Sequence, residues 1–262
     1  MTYCVAIATG EGLVFCSDSR TNAGPDLLSA YSKMHIYDSD PDRMVVLLSA
    51  GNLATTQAVT SQIEAHLDDK EGESLRHCES MTEVANYVSR VSREAQSEAS
   101  DSTADADINT SVSFIVGGQI RGGKPAVYMM YSVGNFISVS EETPYLQIGE
   151  SKYGKPILDR LLGPDTSLED AARCALVSMD STMRANATVG PPVEVLVYEN
   201  DTFEADHYIK LAEDDSYLRT LRQAWGAAIQ AAFLELPLFE WEKRSAAKAQ
   251  PLSEPSGDAT RD

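Results

Sequence analysis

No stretch of this sequence approaches the run of about 20 apolar residues that a membrane-crossing helix requires, and its N-terminus has neither the basic flank nor the apolar core of a secretory signal. Cysteine is scarce. Cys4, Cys16, Cys78 and Cys174 form no C-x-x-C pair and sit in apolar runs, which suits buried thiols in a reduced, cytosolic compartment better than a disulfide framework. The four histidines, His35, His66, His77 and His207, lack ligand-like spacing, so no zinc site is expected. Basic residues are few: 21 Lys and Arg stand against 40 Asp and Glu, a formal charge of −19. That surface repels phosphate backbones and argues against nucleic-acid partners; solubility is its ordinary role. No Gly-x-Ser-x-Gly elbow occurs, and Arg121-Gly122-Gly123-Lys124 lacks the strand and helix that flank a phosphate loop. No motif calls for a cofactor.

What is present suits a globular chain. Its 262 residues are 43% hydrophobic, enough for a sizeable core. β-formers at 2–8 and 13–16 flank the turn Gly10-Glu11-Gly12, and residues 33–37 and 44–48 flank a second turn, predicting two antiparallel hairpins with a loop containing Asn22, Gly24 and Pro25 between them. Val59, Ile63 and Leu67 then repeat every four residues, marking a helix over 52–68, and Val84, Val88 and Val91 mark another over 82–98. The small, acidic stretch 97–107 reads as a surface loop. Strands are expected at 111–116 and 126–132, joined across Gly117-Gly118 and Gly122-Gly123, and at 136–139 and 145–148. Helices follow at 152–162 and 168–184, then a hairpin of 193–198 with 203–209, and a helix at 214–234. Trp225, Ala228, Ile229, Ala232, Phe233 and Leu236 form a packing face that suits a core or an intersubunit contact equally. The order predicts an α+β fold: a four-layer αββα sandwich, two antiparallel sheets flanked by helices. One domain is expected over 1–240, followed by a disordered tail at 241–262.

Chemistry gathers near the start. Methionine is normally trimmed before a small residue. Loss of Met1 would leave Thr2 with a hydroxyl and a free α-amine, a nucleophile and a general base in one residue. The return of the second strand brings Asp18 back towards Thr2, and Lys33 opens the next strand. A buried ammonium there would lower the amine's pKa, and Asp18 would orient it. Spacing alone also suits a solvated Asp and a surface Lys. In Ser49-Ala50-Gly51-Asn52 a strand ends in a small-residue turn ahead of a helix; the Gly51 N–H is placed to donate to an oxyanion, while Asn52 suits an N-cap.

Thr2, Asp18-Ser19-Arg20, Lys33 and Ser49-Ala50-Gly51 fall in the order and spacing of proteasome β-subunits. The opening Met-Thr-Tyr-Cys-Val-Ala-Ile, the segment 147–156 and the long last helix resemble the bacterial proteasome-related family called Anbu. The resemblance covers about residues 2–240. It implies an Ntn-hydrolase fold, threonine peptidase chemistry without metal or cofactor, no propeptide beyond Met1, and self-assembly into a large homo-oligomer, an open ring or helix. By the same likeness Thr2 is the nucleophile, Asp18 and Lys33 the charge relay, Gly51 the oxyanion donor and Asp180 a supporting carboxylate. Thr21, Tyr31, His35, Ser49 and Leu53 would line the substrate pocket. The chain departs from the family where a serine near the amine is replaced by Glu150, with Ser151 as a possible substitute, and where Met183 replaces a hydroxyl residue. Three functions remain open: a peptidase within an oligomer, an amidase for a small amide or peptide tag, and an assembly protein with a vestigial site. No motif identifies an unfoldase or adaptor that would feed it.

Overall fold

The computed structural model describes residues 1–22, 28–69, 72–103 and 108–243. They fall into two compact units, Met1–Leu221 and a second that begins at Arg222. In chain order the first unit contains β1 (Tyr3–Ala8), β2 (Gly12–Asp18), β3 (Arg20–Asn22), β4 (Leu28–Ala30), β5 (Met34–Tyr37), β6 (Arg43–Gly51), α1 (Leu53–Asp68), α2 (Met81–Ser102), β7 (Val112–Ile120), β8 (Ala126–Met130), β9 (Phe136–Ser138), β10 (Tyr145–Gly149), α3 (Lys155–Leu161), α4 (Leu168–Ala185), β11 (Val193–Glu199) and β12 (His207–Leu211). The last helix, α5 (Ser216–Leu234), begins in the first unit and continues in the second.

Two five-stranded antiparallel sheets, ordered β10-β1-β2-β11-β12 and β5-β6-β7-β8-β9, make the αββα sandwich. Strand periodicity explains the layers. In β1, Tyr3, Val5 and Ile7 pack outward with Leu176 and Met179 of α4, while Cys4 and Ala6 face inward with Phe15, Val46, Leu48 and Ile115. Being buried on both faces, β1 and β2 read as continuous apolar runs. On the opposite side Val45, Leu47, Phe114 and Val116 pack with Val59, Ile63, Val84 and Val88 of α1 and α2. Each such side chain contributes about 1.5–3 kcal/mol when fully buried.

Caps fix where the helices begin. Asn52 Oδ1 accepts the Thr55 N–H at 3.1 Å, Ser80 Oγ accepts that of Glu83 at 3.2 Å, and Ser167 Oγ accepts that of Asp170 at 3.2 Å. The Asn52 cap starts α1 directly after β6, which holds Gly51 at the junction.

The structure departs from the sequence expectations in several places. Asn22 of the expected loop lies in β3, which pairs with β4, and Ser49, Ala50 and Gly51 of the expected turn complete β6 against β7. The polar stretch after Ser97 is not all loop: α2 runs on to Ser102, because Ala95 is buried and Gln96 reaches the Val112 N–H and the Ser132 carbonyl. Gly117 and Gly118 lie inside β7 rather than in its turn; a Cβ on Gly117 would come 2.8 Å from the Phe15 ring of the facing sheet. The final hairpin's second strand starts at His207, since Asp201 and Phe203 adopt positive φ of 65° and 57° and the Asp201 N–H is held by Gln119 Oε1 at 2.8 Å. Gly24 and Pro25 of the expected loop, residues 104–107 of the expected acidic loop and residues 244–262 of the expected tail lie outside the described residues. In α5 and beyond, Ile229, Phe233 and Leu236 are exposed.

Candidate active site

Asp18 ends β2 with its side chain fully buried, and its carboxylate collects three donors from three segments. Lys33 Nζ lies 2.6 Å from Oδ1, the Tyr3 N–H donates to the same Oδ1 at 3.0 Å, and the Gly190 N–H donates to Oδ2 at 3.2 Å. Burial pushes the Asp18 carboxyl up from its ordinary value, with Lys33 and the two amides pulling against it. Lys33, itself buried, also donates to the Arg20 carbonyl at 2.8 Å. The Tyr3 N–H belongs to the peptide that joins Thr2 to Tyr3, so a single carboxylate oxygen links the backbone at Thr2 to the lysine.

Thr2 is half-buried immediately ahead of β1 and is held through its carbonyl, which accepts the Glu150 N–H at 2.6 Å. Gly149 presses against it: a Cβ there would stand 2.0 Å from the Thr2 carbonyl oxygen, and the φ of 82° favours glycine. The Tyr3 hydroxyl, joined to Ser178 Oγ of α4 and accepting from Gln147 Nε2 at 2.7 Å, fixes the start of β1 from the outer face. With Met1 in place the nitrogen of Thr2 is a peptide nitrogen. The Met1 amine is held below its ordinary value by burial and by Lys33, with Asp18 opposing.

A cavity of about 530 Å³ opens beside these groups. Thr2, Lys33 and Gly51 line it, together with Thr21, Tyr31, His35, Ser49 and Leu53, every residue expected of the substrate pocket. Ser32, Ala50, Thr56, Gln57, Thr60 and Gly149 complete much of the wall. Gly51 ends β6 with φ of 121°, and a Cβ would come 2.4 Å from the Ser111 carbonyl oxygen. Burial lowers the His35 pKa, opposed by Glu64 and Glu194.

The remaining expected residues lie outside the pocket wall. Asp180 is buried on α4, where its Oδ2 accepts from Arg184 Nε at 3.0 Å. Ser151 is exposed ahead of α3. Glu150 turns its carboxylate towards the Lys152 N–H at 3.1 Å and Asn186 Nδ2 at 3.2 Å, and Met183 packs against the outer core. Among the described residues no group of three or more His, Cys, Asp or Glu is arranged to hold a metal, and no helix is long and apolar enough to cross a membrane.

Glu194 escaped the sequence reading. Its fully buried carboxylate receives Ser19 Oγ at 2.9 Å, Ser32 Oγ at 2.7 Å and Lys210 Nζ at 3.0 Å. A lone acid inside Val193-Glu194-Val195-Leu196-Val197 was the available signal, since a buried charge needs partners.

Over residues 2–198 the chain matches the proteasome subunit family. Among solved structures it is similar to Anbu (ancestral beta-subunit) from Yersinia bercovieri, with 42% identity, TM-score 0.86, and 91% of this chain and 99% of that one covered. The helical assembly of the Anbu complex from Pseudomonas aeruginosa gives 44% identity and TM-score 0.86, covering 91% and 98%. Anbu from Hyphomicrobium sp. strain MC1 gives 42% and 0.80, covering 91% and 100%. No curated protein matches the chain.

Proposed function

The chain belongs to the proteasome subunit family, and from that premise we propose that it is a cytoplasmic N-terminal-threonine hydrolase cutting peptide bonds inside an assembly of its own copies. The observation that carries this reading is the shared Asp18 oxygen: Lys33 Nζ and the Tyr3 N–H meet on it, beside the cavity lined by Thr2.

In this mechanism Met1 is removed and the freed amine of Thr2 serves as base. Lys33 disfavours its protonation. A drop from about 8 to about 7 raises the neutral fraction at pH 7 from roughly a tenth to roughly half. The amine takes the proton of Thr2 Oγ as that oxygen attacks the substrate carbonyl carbon. The oxyanion so formed accepts from the Gly51 N–H, an interaction of a kind worth a few kcal/mol in rate. Collapse breaks the C–N bond, the amine returns the proton to the leaving nitrogen, and water then hydrolyses the ester on Thr2. Asp180 supports the nucleophile from behind, and Thr21, Tyr31, His35, Ser49 and Leu53 hold the substrate side chain. Ser151, exposed as it is, has no part in this scheme. Self-assembly draws on the helical assembly of the Pseudomonas aeruginosa relative and on the exposed apolar side chains of α5 and the segment after it.

The test is intact-protein mass spectrometry before and after incubation with an epoxyketone or β-lactone. Loss of Met1 with one adduct on Thr2 is expected. A retained Met1, or a trimmed chain that never reacts, favours a second reading, an assembly protein with a weak site. Glu150 is the observation on that side, a carboxylate in the family's serine position with both oxygens committed to Lys152 and Asn186. An adducted enzyme that cleaves small amides and not peptides would instead mark an amidase.

A further inference from the structure

Asp18 and Lys33 lie on different segments, the end of β2 and the turn into β5, and each is flanked by a serine that reaches the same buried side chain. Ser19, next to Asp18, donates to Glu194 Oε1 at 2.9 Å; Ser32, next to Lys33, donates to Oε2 at 2.7 Å. The register of β11 opposes Glu194 to Ser17 on one side and to Lys210 on the other, and Lys210 Nζ closes on Oε1 at 3.0 Å. We infer that Glu194 is a positioning residue: its carboxylate clamps the two serines and thereby fixes Lys33 against Asp18. This rests on the threonine-hydrolase reading only for its catalytic consequence.

The packing explains why one side chain carries this duty. The segment 31–34 is otherwise tied by backbone contacts, Tyr31 N–H to the Ser19 carbonyl and Ser49 N–H to the Lys33 carbonyl, both 2.9 Å. These set its path, and the lysine's own grip is on Asp18 and the Arg20 carbonyl. A long ammonium side chain at the edge of an open cavity loses rotamer freedom to stay in one place, so small displacements of residue 32 reach Nζ directly. The Ser32 Oγ, which also accepts the Met34 N–H at 3.2 Å and lies 2.8 Å from the Met34 carbonyl oxygen, has Glu194 as its side-chain partner. A carboxylate that receives the Ser19, Ser32 and Tyr208 hydroxyls and an ammonium is a satisfied buried charge. Replacing it by an amide turns one acceptor into a donor facing donors.

The experiment compares full-length wild type, Glu194→Gln, Ser32→Ala and the double variant. Lys33 is acetylated with an N-hydroxysuccinimide ester under native conditions and quantified by peptide mass spectrometry. Cys4 and Cys16, both fully buried, are treated with iodoacetamide in parallel to report general opening. Expected is an increase of about tenfold in the Lys33 rate for either single variant, no further gain in the double, and protected cysteines throughout; such non-additivity marks one shared tether. A wild-type Lys33 rate in both single variants overturns the inference. Additive gains, or cysteine labelling that rises with Lys33, overturn it too, because the carboxylate would then act on stability alone. If Glu194→Gln does not fold, Ser32→Ala decides by the Lys33 rate alone. The catalytic arm is separate: wild type must form the Thr2 adduct, and the variants should form it more slowly at unchanged saturation. A wild type that never reacts refutes the hydrolase reading while the Lys33 rates still decide the clamp.

Discussion

The ammonium of Lys33 sits 2.6 Å from an oxygen of Asp18 whose side chain has no exposure to solvent. Such a pair is held by geometry rather than by net stability. Removing one partner leaves the other charge buried and unpaired, at a cost of about 3–5 kcal/mol.

Lys33→Ala should therefore lower stability by an amount in that range, read from denaturant midpoints, and should move the acid limb of the pH–rate profile to higher pH. The sign follows from the base: activity requires a neutral Thr2 amine, and loss of a neighbouring cation raises the amine's pKa. An unchanged profile would remove Lys33 from the proposed mechanism.

Thr2→Ala separates chemistry from folding. Thr2 is half-buried and its contact with Glu150 uses only its carbonyl, so stability should change by less than about 0.5 kcal/mol. Turnover should fall by roughly 10³-fold or more. A variant that cleaves as fast as wild type would exclude Thr2 as nucleophile.

Gly149→Ala tests the fit at Thr2 from the other side. The new methyl would meet the Thr2 carbonyl oxygen at 2.0 Å, so the residue must move, and misplacement of about an ångström can cost about 10²-fold in rate. Adduct formation by this variant at the wild-type rate would show that Thr2 needs no such placement.

Glu194 predicts a pH dependence of stability. Burial opposes its ionisation, yet Ser32, Lys210, Ser19 and Tyr208 outweigh that and hold the carboxyl below its ordinary value. A group whose folded pKa is depressed stabilises the fold above its unfolded pKa, and this contribution is lost as pH falls through the folded value. The Tm difference between wild type and Glu194→Gln should thus be largest near neutrality and shrink in acid. A difference independent of pH would mean that the charge contributes nothing.

For assembly, truncation at Asp214 would be a poor probe, because Leu218 is buried in the core of the first unit. Phe233→Glu and Leu236→Glu alter side chains that are 70% and 57% exposed. They should leave the fold intact and reduce the oligomer mass measured by light scattering. An unchanged mass would place the interface elsewhere.

The sequence by itself determined the layers and the candidates for the site. Runs of β-formers closed by turn residues, and a four-residue apolar period in the helices, set the strands, the helices and the αββα order; Thr2, Asp18, Lys33 and Ser49-Ala50-Gly51 stood out through their order and spacing, by the likeness to proteasome β-subunits. The interior of β7 was not legible, since Gly117 answers to the Phe15 ring across the sandwich rather than to its neighbours in sequence. Nor was the extension of α2, which depends on Gln96 reaching two other segments. Only the tertiary structure decided that Asp18 and Lys33 share a buried contact, that Glu150 turns to Lys152 and Asn186, and that Glu194 gathers Ser19 and Ser32. Apart from the short reach of Glu150 to Lys152, these are polar contacts between residues distant in the chain, made obligatory by burial, and nothing in local periodicity encodes which partner a buried polar group will find.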